Sequence, residues 1–395
     1  MGEPVIAGAV RTAIGKRGGA FRDVRPDMLL ASILNALADR TGIERAWVED
    51  VVVGCVTQAG EQGANIARQA VLLAGYPMHV PATTVNRMCG SSQQAVHFAA
   101  QAVAAGDMRW VVAAGVESMT RVPMFSDILG ASPQASAGQA FAGFHPELLT
   151  RYELIHQGES AERIAERYGL GRRELDEFSF QSHVRAARAI RAGYFESQIV
   201  PVEGLDAQGN TVTVIQDEGV RLQPSLERML GLAPAFRPPG RGVVTAGNSS
   251  QISDGAAAIL VADSDAARAA GIRPRARFLA RVAVAGDPTL QLLEVIPATR
   301  RALEKAGVSL RDLDVIEINE AFASVVLAWG RELEPDWERV NPNGGAIAHG
   351  HPLGATGAVL MTKLLHELER RDGTLGLQVM CIGHGMATAT VLERL

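Results

Sequence analysis

The sequence predicts an α/β fold built from two related halves separated by a long excursion. Three observations carry this. Strand-like and helix-like segments alternate, one order of landmarks recurs near the C-terminus, and a stretch of different character lies between. Residues 5–10 read as a strand, 28–41 as a helix, and 51–56 and 110–114 as short apolar strands. Such alternation predicts parallel sheets covered by helices.

The recurrence is specific. Ala36-Leu37, Gly42-Ile43 and Asp50-Val51-Val52-Val53 are echoed by Ala302-Leu303, Gly307-Val308 and Asp314-Val315-Ile316. Trp110-Val111-Val112-Ala113-Ala114-Gly115 is echoed by Leu377-Gln378-Val379-Met380-Cys381-Ile382-Gly383. Asp50 and Asp314 lie 264 positions apart, Val112 and Val379 lie 267 apart, and a near-constant offset predicts duplication. The expected division is a first half at 1–120, completed by about 243–270, and a second half at 271–395. Between them, 121–242 form an inserted loop domain: 126–150 are loop-like and 159–192 helical and charged. Gly204, Gly209, Pro224, Pro234, Pro238, Pro239 and Gly240 mark turns over 204–242. Excursions of this length are usually functional.

Composition excludes several classes. The 395 residues allow two or three domains, and 47% apolar with 21% charged residues excludes a disordered chain. A net charge of −5 leaves no basic field to attract nucleic acid or an anionic membrane. Three cysteines make no disulfide framework, so Cys55, Cys89 and Cys381 are expected as reduced thiols. Residues 1–10 show no secretory pattern, and no apolar run reaches the ~18 residues that span a bilayer. The expectation is a cytoplasmic protein.

Four clusters carry chemistry. Cys89, in Asn86-Arg87-Met88-Cys89-Gly90-Ser91-Ser92, precedes a small-residue helix, whose free N–H groups and dipole favour a thiolate. The competing reading is a buried, inert cysteine. His351 lies in the glycine-dense run Asn341-Pro342-Asn343-Gly344-Gly345-Ala346-Ile347-Ala348-His349-Gly350-His351-Pro352, where it could activate a thiol or donate to an oxyanion. Cys381, followed by Ile382-Gly383-His384-Gly385, ends an apolar strand and could shuttle a proton. Asn319-Glu320-Ala321-Phe322 follows the strand Val315-Ile316-Glu317-Ile318, at the carboxyl end where α/β proteins place their chemistry.

With these clusters the chain resembles the thiolase family. The likeness runs over nearly the whole length. It includes Arg11-Thr12-Ala13-Ile14-Gly15, the Cys89 block, Ala114-Gly115-Val116-Glu117-Ser118-Met119, Thr245-Ala246-Gly247-Asn248-Ser249-Ser250, and the Asn319, His351 and Cys381 blocks. The resemblance implies a five-layered α-β-α-β-α fold, a homodimer or homotetramer, and acyl-CoA and CoA as substrates with no permanent cofactor. It implies Cys89 as nucleophile, His351 as its base and an oxyanion donor, and Cys381 as acid and base. Asn319 would hold a water in one oxyanion hole, and the N–H groups of Cys89 and Gly383 would form another. His156, Gln157, Arg221, Ser250 and Phe322 would bind CoA or substrate.

Some positions depart from the family's usual pattern. Gln157 and Gln291 stand where short-chain biosynthetic members carry methionine, and Leu292-Leu293-Glu294-Val295 replaces a glycine-rich stretch. His384 and Ala387 replace glycines, and His349 replaces an apolar residue. These changes favour a degradative or broad-range enzyme over one making acetoacetyl-CoA. His349, His351, Cys381 and His384 can be drawn as a zinc set, but their spacing fits no familiar zinc pattern, and no metal is expected. A ketoacyl synthase would lack the second cysteine, and a non-catalytic scaffold subunit would lack catalytic residues that are all present here.

Overall fold

The computed structural model describes residues 2–129 and 141–395. The first half runs β1 (Pro4–Thr12), α1 (Pro26–Thr41), β2 (Asp50–Gly54), α2 (Ile66–Leu73), β3 (Ala82–Val85), α3 (Ser91–Ala105) and β4 (Trp110–Ser118). An excursion carrying α4 (Gln157–Arg167) and α5 (Arg172–Arg191) follows, and the chain returns as β5 (Ser253–Asp263). The second half repeats the order: β6 (Ala276–Ala285), α6 (Val295–Ala306), β7 (Val315–Ile318), α7 (Ala323–Leu333), α8 (Thr356–Arg371), β8 (Leu375–Ile382) and β9 (Met386–Arg394). The echoed glycines do the same work in both halves. Gly42 and Gly307 end α1 and α6 with φ of 73° and 68°, the left-handed cap glycine adopts without steric cost.

The strands follow the order β7-β8-β9-β6-β1-β5-β4-β2-β3. The halves meet at β1 and β6, where Val5 pairs with Arg277 and Ile6 with Ala276. Alternation along β5 shows how layers stack on both faces. Ala258 and Leu260 join Leu30, Ile33, Leu34 and Val71 of α1 and α2, whereas Ala257, Ile259 and Val261 join Ala99 and Val103 of α3 and Leu364 and Leu365 of α8. In the second half Val379, Ala389 and Val391 face Val295, Ala302, Val326 and Trp329 of α6 and α7. The result is the five-layered α-β-α-β-α arrangement, with α3 and α8 in the middle.

The expected parallel pairing is met in part and corrected in part. Among the nine strands named, β3-β2-β4 and β7-β8 run parallel, and the short strand Ile199–Val200 also pairs in parallel with β1; β5 is antiparallel to β4 and β1, and β9 to β8 and β6. The reason is local. Gly383-His384-Gly385 reverses the chain within three residues between β8 and β9, and so tight a turn joins only antiparallel neighbours. In the first half the same reversal, from β4 to β5, contains the whole excursion.

Within the stretch read as loop-like, helical turns form at Ser126–Leu129 and Pro146–Arg151, while 130–140 lie outside the described residues. The turn-rich stretch also contains a small hairpin, Val202–Leu205 against Thr211–Val214. Its Asp206 carboxylate accepts the N–H groups of Gln208 and Asn210.

Candidate active site

Cys89 sits just before α3 in a tight, self-bonded turn. Asn86 Oδ1 accepts the Met88 N–H at 2.7 Å, Met88 takes a φ of 46°, and the Ser91 hydroxyl accepts the Arg87 N–H at 2.9 Å. The thiol is buried among Leu360, Met380 and Ile382. Burial, joined by the neighbouring Cys381, pushes its pKa up to about 12 against the N–H groups of Cys89 and Gly383, which act in the opposite sense. The expected thiolate is therefore corrected to a resting thiol: desolvation outweighs the helix end.

His351 follows Gly350, whose φ of 111° suits glycine. Its Nδ1 lies 2.6 Å from Thr356 Oγ1, and that hydroxyl donates to the Pro352 carbonyl at 2.9 Å. With its proton committed, the hydroxyl accepts from Nδ1–H, which leaves Nε2 as the unprotonated, accepting nitrogen. Burial lowers the imidazole pKa to about 4 and keeps it neutral at neutral pH.

Asn319 continues from the end of β7. Its Nδ2 lies 3.4 Å from His351 Nε2 and 3.6 Å from Cys381 Sγ. Its Oδ1 is buried with no hydrogen-bond partner among the described residues, an acceptor that only a donor such as a water O–H could satisfy. Burial raises the Cys381 thiol to about 11, against the Asn319 amide and the Ala321 and Cys381 backbone, which lower it.

Close backbone approach brings these groups together. A Cβ on Gly357 would run into the Gln93 backbone nitrogen, so only glycine lets α8 start against α3; there the Ser92 hydroxyl accepts the Ala358 N–H at 2.9 Å. Three further residues hold the centre in place. Glu117 accepts the N–H groups of Val56, Thr57 and Gly354 at 2.9, 3.1 and 2.9 Å, tying the first half to the His351 loop. Asn341 pairs with both the N–H and the carbonyl of Ile318 at 2.9 Å, as a neighbouring strand would. Thr356 sets the His351 tautomer.

A cavity of about 1000 Å³ opens onto this centre, lined by Cys89, His351 and Gly383 together with His156, Gln157, Arg221, Ser250 and Phe322. Asn319 and Cys381 are fully buried behind it. His156 caps α4 by accepting the Gly158 N–H at 3.0 Å and stacks on Phe236, which meets Phe322 edge-on. The Arg221 side chain is exposed at the rim, while its N–H donates to His183 Nδ1. The zinc drawing is not assembled. His349 points its two ring nitrogens at Asp217 and Asn343, and among the described residues no group of three metal-ligating side chains gathers. All three cysteines are free, and no helix among the described residues is long and apolar enough to cross a membrane.

Residues 4–265 match the family described as thiolase, N-terminal domain, and residues 272–394 match thiolase, C-terminal domain. The chain is 48% identical to a steroid 3-ketoacyl-CoA thiolase of Mycobacterium tuberculosis, over 100% of this chain and 95% of that one. It is 43% identical to a beta-ketoadipyl-CoA thiolase of Escherichia coli, over the full length of both. Among solved structures, the acetyl-CoA acetyltransferase of Bacillus anthracis superposes with a TM-score of 0.90 at 37% identity, covering 100% of this chain and 99% of the other. Matches that span both halves, on a fold and a cysteine–histidine–asparagine–cysteine centre of this form, establish that the chain belongs to the thiolase family of acyltransferases.

Proposed function

We propose that this enzyme cleaves 3-ketoacyl-CoA with CoA, through an acyl group held on Cys89. The Nε2 of His351 takes the Cys89 proton, and the sulfur attacks the 3-keto carbon. The developing oxyanion is met by the N–H groups of Cys89 and Gly383, both of which act on the Cys89 sulfur in the resting enzyme. The C2–C3 bond breaks, and its electron pair forms an acetyl-CoA enolate. The oxygen of that enolate faces His351, now protonated, and a water on Asn319. Cys381 delivers its proton to C2, and acetyl-CoA leaves. A second CoA thiol gives its proton to the Cys381 thiolate and attacks the acyl-enzyme. The shortened acyl-CoA leaves, and Cys89 recovers its proton from His351. The same steps reversed are a Claisen condensation.

The observation that carries this reading is the convergence of Cys89, His351, Asn319 and Cys381, the last three joined through the Asn319 amide at 3.4 and 3.6 Å. A scaffold subunit has no use for that arrangement. His156, Gln157, Arg221, Ser250 and Phe322 form the CoA and acyl site, bounded by the excursion at 121–242. The degradative direction is supported by Gln157 at the acyl wall and by relatives named for 3-ketoacyl-CoA cleavage. The enzyme acts as a homo-oligomer in a reducing cytoplasm. Supporting the first point, the edge strand β3 is flanked by exposed Leu72, Leu73 and Met78.

The test is the CoA-dependent loss of 3-ketoacyl-CoA absorbance, using acetoacetyl-CoA and a substrate of about ten carbons, beside C89A. Turnover lost in C89A supports the reading; no turnover of either substrate by the wild type overturns it. Sedimentation at micromolar concentration tests the oligomer.

A further inference from the structure

The two glutamines beside Gly383 are not equivalent. Gln291 is fully engaged: its Nε2 donates to the Ile155 carbonyl at 3.0 Å, and its Oε1 accepts the His384 N–H at 2.9 Å. It is a brace for the turn that carries Gly383. Gln157 has no hydrogen-bond partner among the described residues, although a Cβ placed on Gly383 would lie only 2.9 Å from its Nε2 and 2.8 Å from Met88 Sδ. Its carboxamide therefore stands over the glycine whose N–H faces the Cys89 sulfur.

A second unpartnered group lies on the same wall. The His384 ring lines the cavity, packs edge-on against Phe144 at 5.5 Å, and makes no ring hydrogen bond among the described residues. Burial lowers its pKa, with no charged neighbour contributing, so the ring is neutral at neutral pH. Apolar Met88, Leu353, Phe141 and Phe144 line the same cavity, and neither Gln157 nor the His384 ring is paired with a charged side chain among the described residues. A plain alkyl chain would fill the arm but would strip water from the Gln157 amide without replacing its hydrogen bonds, which is costly. A carboxylate would meet a carboxamide and a neutral ring rather than a cation.

We propose that the acyl arm selects a chain that is apolar overall but carries a neutral oxygen, such as a hydroxyl, ether or keto group, a few carbons beyond the 3-keto carbon, where Gln157 and His384 hydrogen-bond it. This deepens the thiolase reading and rests on it.

The experiment compares kcat/KM for three 3-ketoacyl-CoA substrates: one with a plain alkyl chain of about ten carbons, one of equal length with a hydroxyl on the chain, and one ending in a carboxylate. Each is measured with the wild type, with Q157M, and with Q157L as a second variant of different shape. The expected result is a preference of about tenfold or more for the hydroxyl over the alkyl substrate, and a ratio at least several-fold smaller in both variants. Equal rates for hydroxyl and alkyl substrates, or a ratio that both variants leave unchanged, overturns the inference. A preference for the carboxylate overturns the assignment of a neutral oxygen. In each of these outcomes turnover persists and the thiolase reading stands. No turnover of any of the three overturns both.

Discussion

The His349 ring spans two acceptors, with Nδ1 2.7 Å from Asp217 Oδ2 and Nε2 2.9 Å from the Asn343 carbonyl. Burial lowers the His349 pKa and Asp217 raises it. Burial outweighs Asp217, so the imidazole pKa lies below its ordinary value. Asp217 also receives Arg11 at 2.7 and 3.1 Å and the Ile14 N–H at 2.8 Å. One carboxylate thus fastens the excursion, β1 and the His351 loop.

Removing that carboxylate leaves the buried Arg11 guanidinium without its anion. D217N is expected to lose about 3 kcal/mol or more of stability, read from urea midpoints. Burial alone would raise the Asp217 pKa, but Arg11 and His349 hold it well below the ordinary carboxylate value. The stabilisation is therefore complete above about pH 4 and is lost as pH falls further, so the wild-type advantage over D217N shrinks below that point. An advantage that does not change with pH contradicts this.

T356V removes the acceptor that fixes the His351 tautomer while conserving volume. A fall in kcat of roughly 10- to 100-fold with little change in KM is expected in the thiolysis assay. A change confined to KM would mean that Thr356 acts on binding alone.

Burial holds Cys89 near pKa 12 and His351 near 4, so the resting pair is a thiol beside a neutral imidazole. Alkylation of Cys89 by iodoacetamide, followed by mass spectrometry, should climb continuously with pH through 9. A plateau between about pH 5 and 8 would reveal a thiolate–imidazolium pair instead.

N319A deletes the amide shared by His351 and Cys381. A loss of about 10²- to 10³-fold in kcat is expected, in both thiolysis and condensation, the size of one oxyanion donor. Near wild-type turnover would remove Asn319 from the mechanism.

G357A places a methyl against the Gln93 backbone, where no flexible side chain can yield. A destabilisation of about 1–3 kcal/mol is expected in thermal melts, with activity falling as α3 and α8 separate.

Much of this was legible in the sequence. Asn319 and Cys381 lie at the ends of buried apolar strands, and Cys89 and His351 lie just ahead of helices rich in small residues. The Gly42 and Gly307 echo marked equivalent helix ends. Strand direction was less legible: the apolar run of β5 is buried on both faces and reads the same in a parallel or antiparallel sheet. The Cys89 thiol form was missed because desolvation depends on neighbours from the far half, such as Ile382 and Leu360. Glu117 and Asn341 carried no signal of their own, since their partners are backbone groups brought close only by the fold.

The unequal reversals between β4 and β5 and between β8 and β9 bear on how the chain acquires its structure. In the second half, β9 pairs with β8 as soon as three more residues are available, so that sheet edge closes by local search. In the first half, β5 must wait for residues 119–252 before it can pair with β4 and β1. During synthesis, β1 and β4 therefore emerge long before the strand that lies between them, with apolar edges unpaired. The enlarged turn that encloses the substrate cavity also makes the N-terminal half the slower one to form, and the interval before β5 arrives is when the nascent chain is most exposed to misassociation.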